Sequence, residues 1–137
     1  MSAENVEIVR RVYEAAARRD SEAVMALYDP EVELDNGGLG LPGYGTGEIA
    51  RGHEELRRFF RDWHEAWDNI EYDYDELIDA GGDRVVSVVT RHGRGRASGL
   101  EVEMPAALVW TVRDGKVVRV VWFKSRGDAL EAAGLQE

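Results

Sequence analysis

Apolar residues recur at intervals of three and four along the first half of the chain, then switch to short-period runs broken by turns. Val6, Val9, Val12, Tyr13 and Ala16 line one face of a helix expected over residues 3–18. Glu4 and Glu7 sit in its first turn and Arg18 and Arg19 at its end, as the helix dipole favours. Asp20-Ser21 opens a short second helix that buries Val24, Leu27 and Tyr28, and Asp29-Pro30 ends it, because the residue before a proline resists helical dihedrals. Residues 31–35 alternate as a brief strand. A glycine-rich irregular run follows over 36–47, then a third helix over 52–68 with Leu56, Phe59, Phe60, Trp63 and Trp67 as its apolar face. Strands are expected over 70–77, 84–95, 100–113 and 116–124, and a last helix over 126–135. Gly81-Gly82 and Asp114-Gly115 are hairpin signals between strands. The order predicts one α+β domain in which three N-terminal helices cover an antiparallel sheet.

Composition narrows the function classes. The formal net charge of −10 repels a phosphate backbone, so no nucleic-acid partner is expected. Without cysteine there is neither a disulfide nor a thiol nucleophile. The opening MSAENVEIVRR lacks the apolar run of a signal peptide, and no segment reaches the roughly 20 apolar residues of a membrane span. A cytoplasmic protein with no membrane partner is the expectation.

The segments NVEIVRRVYEAAARRDSEAVMALYDPEVELD, ARGHEELRRFF, VWTVRDGKVVRVVWF and DALEAAGL, in that order, resemble the SnoaL-like branch of the nuclear-transport-factor-2-like, or ketosteroid isomerase-like, superfamily. The resemblance implies a curved antiparallel sheet wrapped as a cone around a pocket and closed by three helices. It covers isomerases, dehydratases, epoxide hydrolases, polyketide cyclases and non-catalytic binders, so fold alone does not give function. It places a catalytic carboxylate at the end of the first strand, where Asp35 stands. A tyrosine expected on the first helix falls at Val12, with Tyr13 one step and about 100° away. The second oxyanion donor falls near Leu108, which argues against a steroid-isomerase mechanism.

Three residues are therefore candidates for proton transfer: Asp35 as base, with His92 or Tyr13 as acid or hydrogen-bond donor. Parity sets Asp35 with Glu31 and Glu33, away from Val32 and Leu34, unless a bulge intervenes. Strand alternation sends only one of Arg91 and His92 inward; an inward arginine favours a carboxylate or enolate ligand. His53 and His64 lack a metal-ligand spacing, so no metal is expected. Gly38-Leu39-Gly40-Leu41-Pro42-Gly43 matches GxGxxG formally, but no βαβ unit surrounds it, and it reads as a flap near the cavity mouth.

Phe59, Trp63, Met104, Leu108, Trp110, Val120 and Trp122 are expected to line the pocket, a setting suited to a small apolar, flat ligand. The other sheet face carries Ala107, Val109, Thr111, Val121 and Phe123 and is expected to form a homodimer interface. The functional expectation is a cofactor-independent isomerase, cyclase or dehydratase acting by proton transfer on a small apolar ring or carbonyl metabolite. A non-catalytic ligand binder or a dimeric scaffold is the alternative.

Overall fold

The computed structural model describes residues 2–38, 49–65 and 67–135. Helices α1 (Ser2–Ala17) and α2 (Ser21–Leu27) are followed by strands β1 (Tyr28–Gly38) and β2 (Ile49–Arg51). Helix α3 (Gly52–Glu65) leads into β3 (Trp67–Asp79), β4 (Arg84–Gly95), β5 (Glu101–Arg113) and β6 (Lys116–Phe123), and α4 (Arg126–Ala132) closes the chain. The sheet order is β2-β1-β6-β5-β4-β3. Every neighbouring pair is antiparallel except β1 and β6, which run parallel, so the sheet is mixed rather than purely antiparallel. Register breaks at Tyr74/Glu76 and Thr111/Val112 each add a residue to one strand, which bends and twists it. The sheet curls into a half-barrel with the first three helices against its concave side.

Two boundaries and one added strand stand apart from expectation. Tyr28 leaves α2 with φ −99° and ψ 137° and starts β1, so the strand runs through Pro30 instead of starting after it. Trp67 opens β3 instead of ending α3. The short β2, in register with Glu33, Leu34 and Asp35, was not anticipated. Of the irregular run expected over 36–47, residues 36–38 end β1, and the rest, with all of the expected flap beyond Gly38, lies outside the described residues. At the β5–β6 turn Asp114 and Gly115 both have positive φ (52° and 75°), the mirror-image turn whose twist matches the strands.

Alternation divides the sheet into two cores. On the concave face Val85, Val89, Leu108, Trp110, Val120 and Trp122 pack with Val9, Val12, Met25 and Leu56 from the helices. On the convex face Val86, Ala107 and Val109 pack with Ala129, Leu130 and Ala133 around α4. This corrects the basis of the dimer expectation: α4 of the same chain covers that face, leaving Ala107 0% and Val109 8% exposed, with Val121 and Phe123 half-buried. Helix α4 is held at its start by the Ser125 hydroxyl, which accepts from Asp128 N at 3.2 Å, and by Arg126 Nε, 2.9 Å from Glu76 Oε1 on β3. Ser125→Ala is expected to lower stability by about 1 kcal/mol, read as a shift in the urea midpoint. Among the described residues no helix is long and apolar enough to cross a membrane.

Candidate ligand-binding site

Strand β4 supplies the polar part of the concave face. Val85, Ser87, Val89 and Arg91 alternate inward, and Ser87 and Arg91 are the buried polar side chains among the described residues. Ser87 Oγ accepts from Trp110 Nε1 at 2.8 Å and shares a second 2.8 Å hydrogen bond with Tyr13 OH, which reaches it from α1. The Tyr13 ring meets Trp110 edge-on, with centroids 5.7 Å apart, and Tyr74 at 5.1 Å. Close by, Trp63 Nε1 on α3 donates to Tyr72 OH at 2.9 Å, and Tyr72 lies opposite Arg91 in the β3–β4 register.

Arg91 occupies the centre of an aromatic wall. Its guanidinium carbon stands 5.1 Å from the Trp122 ring centroid and 5.5 Å from that of Trp63, within cation–π range of both. Nε donates a long 3.4 Å bond to the Met104 carbonyl, while Nη1 is buried with no hydrogen-bond partner among the described residues, as is Trp122 Nε1.

Burial sets the protonation of this region. It pushes the Tyr13, Tyr28 and Tyr72 phenols above their ordinary value, with the hydrogen bond to Ser87 opposing the shift at Tyr13 and that to Trp63 opposing it at Tyr72. Burial pulls the Arg91 guanidinium down, and the nearby Tyr72 and Tyr13 oppose that shift. The tyrosines are neutral hydrogen-bonding groups at physiological pH, and Arg91 is a cation held in a poorly solvated place.

The expected site residues divide between the two faces. Tyr13, Leu108, Trp110, Val120 and Trp122 share the concave core, with Phe59 packed against it; Trp63 is buried against Arg91, and Met104 stands opposite Arg91 on β5. His92 points the other way, as alternation from Arg91 requires. On the convex face its Nε2 lies 3.1 Å from Asp73 Oδ2 and its Nδ1 3.3 Å from Glu103 Oε1, beside a wide acidic groove of about 840 Å³. Asp35 is half-buried and in register with Val121, while the preceding Leu34 pairs with Val120 on the concave side. The structure therefore does not bring Asp35, His92 and Tyr13 together. Of the other histidines, His53 Nε2 donates to the Tyr28 carbonyl at 2.8 Å, and His64 stacks on Phe60.

Sequence reasoning missed Ser87 and Tyr72. The signal for Ser87 was a single hydroxyl in Val85-Val86-Ser87-Val88-Val89, at the parity of two valines that face inward.

A curled sheet whose concave face carries aromatic side chains and a few polar groups, packed against three helices, defines an α+β half-barrel. The chain belongs to the SnoaL-like domain family, whose model matches residues 9–120. An NTF2-like protein from Burkholderia thailandensis is 30% identical, with 95% of this chain and 96% of that one covered and a TM-score of 0.76. An NTF2-like protein of unknown function from Burkholderia pseudomallei is 27% identical over 93% of this chain and 95% of that one, with a TM-score of 0.78. TerC, solved as a co-crystal with polyporic acid, is 26% identical over 96% of this chain and 98% of that one, also with a TM-score of 0.78. No match is found among curated proteins.

Proposed function

We propose that the concave face binds a small ring-bearing carbonyl metabolite and acts on it by cofactor-independent proton transfer of the isomerase or cyclase type. The observation that carries this reading is the Tyr13–Ser87–Trp110 cluster, a neutral phenol hydrogen-bonded inside the concave core. A phenol kept protonated by burial donates to the oxygen on which negative charge develops while solvent water accepts the α-proton, and a poorly solvated site strengthens the phenol's interaction. The aromatic walls supply flat contact area for a ring. TerC, crystallised with polyporic acid, gives the reading a neighbour handled together with an organic acid.

Binding without turnover is the second reading. It is favoured by the composition of the buried polar set, since neither Ser87 nor Arg91 is an ordinary general base. Asp35 alternates with Leu34, which is buried in the concave core, and so falls on the opposite face of β1.

One assay separates the two readings. 2-Tetralone, a small bicyclic ketone, is expected to alter tryptophan fluorescence and to exchange its α-protons with D2O about 10²-fold faster than in buffer. Tyr13→Phe is expected to remove most of that acceleration. Binding with no acceleration selects the binder, and no binding by any small ring compound overturns both readings.

A further inference from the structure

Resting on the proposal that the concave face binds a ring-bearing molecule, we infer that its ligand is a planar monoanion, a carboxylate or a ring-borne oxyanion, received by Arg91 between Trp63 and Trp122. Arg91 is 2% exposed, and no ion pair among the described residues includes it. Among the described residues its support is two aromatic faces and one long bond to the Met104 carbonyl. Those contacts leave Nη1 unpaired, and the indole Nε1 of Trp122, whose ring the guanidinium covers, is unpaired as well. Among the described residues, two side chains in cation–π contact thus each bury a donor without a hydrogen-bond partner.

Buried donors are normally satisfied, and a buried cation is normally paired. An anion arriving here would do both at once. A guanidinium is a planar fork that matches two coplanar oxygens, and its flanking indoles would hold an attached ring in the same slab of space. The neighbouring Tyr72 and Tyr13, kept neutral by burial, add no negative charge to compete with the ligand. A neutral carbonyl compound could accept a hydrogen bond from Nη1 but would leave the charge uncompensated.

The test pairs acids with neutral analogues of the same shape. Calorimetric titration of the wild-type protein compares 2-naphthoate with 2-naphthamide, and 4-nitrophenolate with 4-nitroanisole at a pH where the phenol is ionised. At least one anion is expected to bind about tenfold or more tightly than its neutral partner, and which pair shows the preference separates a carboxylate from a ring oxyanion. Arg91→Met is expected to abolish the preference, and Arg91→Lys to retain part of it. Neutral compounds that bind as tightly as the anions would overturn the inference while leaving the ligand-binding reading intact. A folded Arg91→Met protein with undiminished preference would overturn it too. If that variant does not fold, the wild-type comparison decides alone. Failure of every compound, charged or neutral, would bring down both readings.

Discussion

Ser87→Ala is expected to destabilise the protein by about 2–6 kcal/mol, far more than loss of one oxygen atom from a small side chain suggests. The hydroxyl is fully buried and serves two partners at 2.8 Å, Trp110 Nε1 and Tyr13 OH. Its removal leaves both without a protein partner in an interior of valine, leucine and tryptophan, and each orphaned polar group costs about 1–3 kcal/mol. Tyr13→Phe is the contrasting case. It takes away the phenol oxygen together with its need for a partner, and Ser87 still accepts from Trp110, so about 1 kcal/mol is the expected loss. Once Tyr13 is phenylalanine, Ser87→Ala orphans one group instead of two. The double variant should therefore lose less than the two single losses added together, a positive test of coupling in a urea-unfolding cycle. A Ser87→Ala protein as stable as the Tyr13→Phe protein would mean that the hydroxyl does not satisfy both partners.

The same serine illustrates what the sequence made legible. The concave surface of β5 and β6 could be read directly, because alternate residues at Leu108, Trp110, Val120 and Trp122 leave only one sensible side for burial. The Asp-Gly turn between those strands was equally plain, since its positive φ angles demand particular residues. Tertiary pairing was not plain. That β1 lies parallel to β6 depends on how the sheet closes after five intervening elements, and nothing local to Glu31–Asp35 records it. The three-residue β2 is too short to carry a period. Trp67 continues the helical pattern of α3 but is taken by the sheet, an instance of pairing overriding local propensity.

At the site, parity decided the outcome. Arg91 and His92 are adjacent, so one had to face inward, and composition alone could not choose. The choice follows from Val85 and Val89, which share the parity of Arg91 and lie wholly in the concave core. Asp35 was placed by resemblance to a family position, whereas its own strand pattern, with Val32 and Leu34 buried, already set it on the other face. Where a borrowed position and the local alternation disagreed, the alternation described this chain.

Alkaline solution is expected to unfold the protein steeply, because its interior holds phenols that resist ionisation. Tyr13 and Tyr28 are 9% and 4% exposed, and burial raises both above the ordinary value of 10.0. Below that pH the folded and unfolded chains keep these protons alike, and the pair contributes no pH dependence. Above it the unfolded chain releases protons that the native chain retains, so the unfolded state binds fewer and stability falls as pH rises. Each such tyrosine contributes a slope of about 1.4 kcal/mol per pH unit, or about 2.7 for the two, and Tyr72, raised in the same direction, steepens it. Against a typical domain stability of about 5–15 kcal/mol, the loss becomes decisive within about two pH units. Tyrosinate absorbance and circular dichroism should therefore change together for these residues, since the phenols ionise only when the interior opens. Tyr28→Phe removes one of the resisting groups and should flatten the alkaline slope by about 1.4 kcal/mol per unit, whatever it does to stability at neutral pH. Smooth ionisation of every tyrosine with the secondary structure intact would show that water already reaches the concave face, and a dry binding site could not be sustained there.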